Sequence, residues 1–205
     1  MDRLFWYTYT MFDGSLTQQI LGLVAVALGL FGYAFYIKGI IKGEVKPHAF
    51  TWFVWGLLTA IAFVAQTVEG GGPGAWVTGI TALMSFVFVI VGLGASSRSY
   101  IVKSDWIFLV VSLVTIPVWY LTGNPLWSVI IITIIDAVAF APTFRKAYFH
   151  PETENTWTYL LSGIKFIFGI AALTSFSLTT VLYPSSLIVA NFAFVSMVIW
   201  RKRQG

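Results

Sequence analysis

Apolar stretches long enough to cross a lipid bilayer follow one another along almost the whole chain. They cover about residues 17–37, 49–67, 74–95, 105–122, 125–144, 156–175 and 182–200. As helices, stretches of about 17 to 25 residues span the roughly 30 Å of bilayer hydrocarbon. Charged residues make up only 10% of the chain, against about 25% in soluble domains. The sequence therefore predicts an all-α integral membrane protein with seven transmembrane helices, in a single transmembrane domain over residues 1–205.

The basic residues between these stretches favour one orientation in the membrane. An N-terminus outside places ten of them on the inner side: Lys38, Lys42, Lys46, Arg98, Lys103, Arg145, Lys146, Arg201, Lys202 and Arg203. Only Arg3 then lies outside, and Lys165 falls within a predicted helix. Cytoplasmic loops are enriched in lysine and arginine. The pattern thus predicts a multi-pass protein of the cytoplasmic membrane with its C-terminus inside, and it explains the basic C-terminus without nucleic acid.

Two segments of the chain share a pattern. Gly32–Leu58 and Phe140–Gly163 each contain a helix ending in an aromatic-basic step, then a loop with a proline, then Thr-Trp at the start of the next helix. Thr51-Trp52 matches Thr156-Trp157 in this comparison. The pattern predicts repeat one over about residues 17–95, a linker helix over about 105–122 and repeat two over about 125–200. An odd linker makes the repeats parallel, a known transporter plan with its site near the midplane between them.

This three-one-three pattern resembles the SWEET and PQ-loop superfamily of seven-helix transporters. Ala141-Pro142-Thr143-Phe144 is similar to the proline-centred turn that the family uses as a hinge in its fifth helix, and the resemblance implies a hinge at Pro142 and Thr143. It also implies a pocket role for Asn191, which matches an asparagine of the family's seventh helix. Parts of the chain are also similar to small bacterial membrane proteins of unknown function, which favours a bacterial inner membrane.

Asp136 and Lys165 are ionisable residues at predicted bilayer depth. Asp136 lies about eleven residues into the fifth stretch, or about 17 Å at 1.5 Å per residue, and Lys165 reaches a similar depth from the other side. A charge at mid-membrane costs about 2.5 to 3.5 kcal/mol on insertion scales, and such residues usually pair and mark a solute or proton path. We expect the two to interact directly or through one water. The alternative is an ion pair that only fixes helix register.

Aromatic residues near the inner ends of two predicted helices are the remaining candidates for a substrate site. Trp52 and Trp55 lie one helical turn apart, and Trp157 matches them in the second repeat. They could form a stacking wall for a solute ring, and the alternative is anchoring at the membrane interface. Asn191 is one of few strongly polar side chains in the seventh stretch. Its alternative role is a hydrogen bond between helices.

These features favour a transporter for a sugar or another small polar solute, working by alternating access of two three-helix bundles. The partners expected are the lipid bilayer and the solute. The sequence leaves open whether the protein is a facilitator or is coupled to protons, and whether it forms a homo-oligomer. The alternative is a non-transporting receptor or scaffold of the same plan. A retinal photoreceptor would carry its lysine in the seventh helix, whereas Lys165 is in the sixth. The solute itself is not readable from the sequence.

Enzymatic activity, a metal site and a bound cofactor are not expected. The chain has no cysteine and only two histidines, both in predicted loops. No serine–histidine–aspartate set occurs within the predicted helices, and no second buried carboxylate is expected.

The predicted topology has a direct test. Because an odd number of spans separates them, single cysteines introduced at Ser15 and Gln204 should react with a membrane-impermeant thiol reagent from opposite sides of the membrane. Inside-out and right-side-out vesicles distinguish the two sides. Labelling of both positions from the same side would contradict the topology.

Overall fold

Long helices account for nearly all of the structure. The computed structural model describes residues 11–43, 49–94, 103–154 and 156–204. This part of the chain is almost all helical and contains no strand. Its α-helices are α1 (Leu16–Ile41), α2 (Ala49–Val68), α3 (Trp76–Gly94), α4 (Lys103–Thr122), α5 (Pro125–Phe149), α6 (Thr156–Ala171) and α7 (Leu178–Lys202), with short 3-10 turns at Gly72–Ala75 and Pro151–Thr153. The predicted loop with Lys46 and Pro47, and the basic residues Arg3 and Arg98, lie outside the described residues.

Five of the described helices are long and apolar enough to cross a membrane. They are α1, α2, α3 with the turn before it, α5 and α7. Two further helical segments are apolar but shorter, Leu109–Thr122 within α4 and Thr156–Ala171, which is α6. Large apolar side chains on the outer faces of the helices are exposed, as lipid contact requires. The chain is therefore a multi-pass, all-helical membrane protein, and a total of seven spans stays a prediction.

α6 ends earlier, and α7 begins earlier, than the sequence predicted. α6 ends at Ala171 and α7 begins at Leu178, whereas the predicted stretches met between residues 175 and 182. Ser177 explains the start of α7, because it forms a capping box with Thr180 in which each side chain bonds the backbone N–H of the other. Ser15 and Gln18 form the same arrangement at α1.

The helices pack in two sets of three, with the same order in each. In the first set, α1 packs against α3 and α3 against α2. In the second, α5 packs against α7 and α7 against α6. The sets meet where α1 contacts α6 and where α2 contacts α5, and α4 packs against α5 and α2. In each set the third helix therefore lies between the first and the second.

Glycines allow close helix contacts at matching places in the two sets. A Cβ added at Gly56 of α2 would lie 3.1 Å from the ring of Phe86 in α3. A Cβ added at Gly163 of α6 would lie 3.0 Å from the ring of Phe192 in α7. Small residues are common where membrane helices approach closely, and here each leaves room for a phenylalanine of the next helix.

A proline inside α7 creates a polar contact between the two sets. Pro184 has no N–H, so it cannot donate to the carbonyl of Thr180 one turn earlier. The side-chain nitrogen of Gln66, on α2, donates to that carbonyl at 2.8 Å. Gln66 is only 1% exposed. The side chain of one set thus satisfies a backbone group that the proline leaves open in the other.

This contact gives a stability prediction. Gln66→Leu should lower the free energy of unfolding by about 1–3 kcal/mol, because the buried carbonyl of Thr180 loses its donor. In a Pro184→Ala background the helix supplies its own N–H, so the same Gln66→Leu change should cost less. Chemical unfolding of the four variants in detergent measures the difference. Equal costs in the two backgrounds would contradict the assignment.

Candidate functional site

A cavity of about 440 Å³ lies between the two sets of helices. Side chains from α1, α2, α3, α5, α6 and α7 form its wall. Small-molecule sites usually have volumes of roughly 300–1,000 Å³, so the cavity is large enough for a small solute. Of the six residues that the sequence singled out as a binding site, it brings five to this wall: Asp136, Lys165, Asn191, Trp52 and Trp55.

Lys165 extends from α6 across the boundary between the sets. Its ammonium donates to the hydroxyl of Thr81 on α3 at 3.0 Å and to that of Tyr33 on α1 at 3.4 Å. It also lies 4.9 Å from the ring centres of Tyr33 and Phe166, a range in which aromatic faces attract cations. The side chain is 4% exposed. An ammonium has three N–H donors, so these two hydrogen bonds leave one.

Gly29 of α1 leaves the space through which the lysine passes. A Cβ added at Gly29 would lie 3.3 Å from the Lys165 side-chain carbon Cδ. The alkyl part of Lys165 therefore lies against α1, and its charged end continues to α3. The sequence did not identify Gly29, Tyr33 or Tyr36 as site residues, although the two tyrosines are spaced to share a helix face.

Asp136 of α5 lies in the wall of the same cavity. Its side chain is 9% exposed, and the cavity is the space that it faces. Within the described part of the chain it has no hydrogen-bond or ion-pair partner. A buried carboxylate without a partner is costly in a protein interior. A contribution to stability therefore does not explain the presence of Asp136.

Asp136 and Lys165, expected to interact directly or through one water, form no direct ion pair, and the contact through a water stays a prediction. Both side chains are described, and no ion pair joins them; the ammonium is bonded to Thr81 and Tyr33 instead. The physical reason is the packing order. α5 and α6 are neighbours in sequence, but α5 packs against α7 and α2, while α6 packs against α7 and α1. The two charges thus face one cavity from different walls.

Trp52 and Trp55 belong to an aromatic cluster at one end of the cavity. The Trp52 indole N–H donates to the Tyr36 hydroxyl at 3.0 Å. Its ring centre lies 4.6 Å from that of Phe88 and 5.4 Å from that of Trp55. Aromatic pairs at such distances stabilise each other. The hydrogen bond and the rings together hold the indole of Trp52 in a fixed position.

Trp157 does not line the cavity, and Tyr159 occupies the position expected for it. Trp157 is 67% exposed. Tyr159 lies in the wall and packs on Phe194 with ring centres 4.0 Å apart. Each helix residue turns by about 100°, so two residues along α6 lead to nearly the opposite face. The sequence pattern paired Trp52 with Trp157, whereas the α6 residue in the cavity wall is Tyr159, two positions later.

The other predicted site residues have simpler outcomes. Asn191 of α7 lines the cavity, and its side-chain nitrogen donates to the Leu187 carbonyl of its own helix at 2.7 Å. α5 continues through Pro142 and Thr143 without interruption. The side chain of Pro142 lies outside the described side chains. The hinge therefore stays a prediction.

The two ends of the cavity differ. Thr51 and Thr158, in the first turns of α2 and α6, lie in its wall, and Thr158 is exposed. At the opposite end of the bundle the connecting segments bond to each other: Thr174 donates through its hydroxyl to the Gly70 carbonyl at 2.6 Å. Gln18 likewise donates to the carbonyl of Leu173 at 2.8 Å. Within the described residues, which leave out 44–48 and 155 just before these helices, the cavity is thus open towards the start of α2 and α6, and the connecting segments close the other end.

Comparison with known proteins gives no relative. No protein-family model, no curated protein and no solved structure matches the chain. The function must therefore be argued from the cavity and its charges.

The separation of Asp136 and Lys165 predicts weak thermodynamic coupling. Removing one member of a buried ion pair costs about 3–5 kcal/mol, and removing both restores much of it. For Asp136→Asn, Lys165→Met and the double variant, we expect a coupling energy well below that of a direct buried pair, because no ion pair joins the two side chains. Unfolding in detergent measures it. Recovery of stability in the double variant would indicate a direct pair.

Proposed function

We propose that the protein is a transporter for a small polar solute. The observation that carries this proposal is the cavity between the two sets of helices, with a carboxylate and an ammonium in its wall. Ionisable residues inside membrane helices usually face a solute or proton path. Their burial without a mutual contact is hard to explain as a structural device, because neither charge neutralises the other.

We further propose that the two sets are parallel repeats, α1–α3 and α5–α7, joined by α4 as linker. The packing order supports this arrangement, since α1–α3–α2 has its counterpart in α5–α7–α6. The contact of Gly56 with Phe86 corresponds to that of Gly163 with Phe192. Repeats of this kind move against each other around a site between them. This reading retains the seven-span, SWEET-like plan expected from the sequence.

The difference between the two ends of the cavity supports alternating access. In the predicted orientation, α2 and α6 begin at the cytoplasmic face of the bacterial inner membrane. The open end of the cavity would then face the cytoplasm. The closed end would face outside. Separation of the hydrogen bonds around Gly70 and Thr174, with closure around the starts of α2 and α6, would produce the opposite state.

A screen followed by uptake tests the transport proposal. Sugars, amino acids and organic acids are added separately to the detergent-purified protein, and the shift in melting temperature identifies the solute. That solute should then accumulate in proteoliposomes containing the protein and not in protein-free liposomes. A solute that stabilises the protein but does not cross the membrane would overturn transport in favour of the receptor alternative.

An engineered disulfide tests alternating access itself. A Cβ at Gly70 would lie 3.9 Å from the Cβ of Ser175, within the roughly 3.5–4.5 Å found in disulfides. Oxidation of Gly70→Cys with Ser175→Cys should lock the closed end, so uptake should stop and should return on reduction.

The two single-cysteine variants are the matched controls for this disulfide. They also control for strain at Gly70, whose φ of 71° is one that other residues rarely adopt. The chain has no cysteine of its own to interfere. Undiminished uptake by the fully cross-linked protein would contradict alternating access through this end.

A further inference from the structure

An acidic and a basic side chain line the cavity and form no ion pair with each other. Asp136 lies in its wall with no hydrogen-bond or ion-pair partner among the described residues, and its side chain is about nine-tenths buried. Lys165 lies in the same cavity wall with two hydroxyl partners and no carboxylate partner. Buried charges are normally paired. The cavity therefore offers one acidic and one basic side chain to a solute.

The geometry of Lys165 leaves it ready to bind an anion. Thr81 and Tyr33 accept two of its three N–H donors. These bonds, with the close passage of its stem over Gly29, hold the ammonium in one place. The remaining donor is available to a solute oxygen.

Three neutral polar side chains of the cavity donate to carbonyls of their own helices. The hydroxyl of Thr59 donates to the Trp55 carbonyl at 2.7 Å, and that of Ser85 donates to the Thr81 carbonyl at 2.8 Å. The side-chain nitrogen of Asn191 donates to its own helix as well. Asp136 and the third N–H of Lys165 make no hydrogen bond among the described residues, so both are available to the charged groups of a solute.

The aromatic cluster provides the apolar part of the site. Trp52 and Trp55 come from one set of helices, and Tyr159 and Phe140 come from the other. They lie towards the open end, beyond the two charges. A solute bound by its charged groups would place an apolar side group among these rings.

We propose that the solute is a small zwitterion, a free amino acid with an apolar or aromatic side chain. Its carboxylate binds the Lys165 ammonium, its own ammonium binds the Asp136 carboxylate, and its side chain contacts Trp52 and Trp55. The inference rests on the proposed transport function for its meaning in the cell, but the binding site itself does not require transport.

Matched ligands test the charge requirement on the purified full-length protein. Leucine and phenylalanine carry both charges, their amides carry only the ammonium, and their N-acetyl derivatives carry only the carboxylate. Calorimetric titration should show binding of the amino acids about tenfold or more tighter than of either derivative, because each derivative loses one charge-assisted contact. Equal affinities, tighter binding of glucose, or no binding by any neutral amino acid would overturn the proposal.

Two variants assign the ends of the ligand. Asp136→Asn should weaken binding of leucine and leucinamide about tenfold or more and leave N-acetylleucine unchanged. Lys165→Met should weaken leucine and N-acetylleucine and leave leucinamide unchanged. A merely structural role would weaken all three ligands together, and that outcome would overturn the assignment. Glu152→Gln and Lys38→Met are the controls, because both side chains are exposed and outside the cavity wall.

Uptake separates this inference from the transport proposal. Binding of the amino acids without their entry into proteoliposomes would overturn transport and support the zwitterion site. Entry of a sugar, with no binding of amino acids, would overturn the zwitterion site and support transport. The wild-type ligand series decides the site even if Lys165→Met does not fold.

Discussion

The bilayer offers no hydrogen-bond partners, and this constraint governs every polar group in the structure. Backbone groups are satisfied within helices. Several hydroxyl side chains are satisfied in the same way, since Thr67 donates to the Phe63 carbonyl at 2.8 Å and Thr133 to the Val129 carbonyl at 2.7 Å, each one turn back on its own helix. Ionisable side chains need other partners. Lys165 finds them on two other helices, and Asp136 faces the cavity.

Two polar groups that the helices leave open are satisfied across the boundary between the two sets. Gln66 of α2 bonds the carbonyl freed by Pro184 of α7, and Lys165 of α6 bonds hydroxyls of α1 and α3. Apolar contacts form the rest of the boundary, where Leu58 of α2 and Ile132 of α5 belong to one buried cluster. The boundary is thus held by a few directional contacts at defined positions, with apolar contact between them.

The membrane class and the all-helical fold could be predicted because they depend on the length and composition of apolar stretches. The contacts between residues of different helices could not be predicted in this way. A direct ion pair between Asp136 and Lys165 was one expectation because their helices are consecutive, but the helices pack in another order. Trp157 was matched to Trp52 by identity, although the helix face on which Tyr159 lies is the one that reaches the cavity. Gln66 could not have been assigned without knowing which carbonyl lies beside it.

The hydrogen bonds of Lys165 have a consequence for the energetics of opening. They join helices of different sets, so the sets cannot separate at that point without uncovering an ammonium in an apolar interior. An anionic group that bonds the lysine would replace the lost hydroxyls during such a movement and lower its cost. For the transporter proposed above, an empty protein would then resist the change of state more than an occupied one, and this side chain would limit the leak of other solutes or ions.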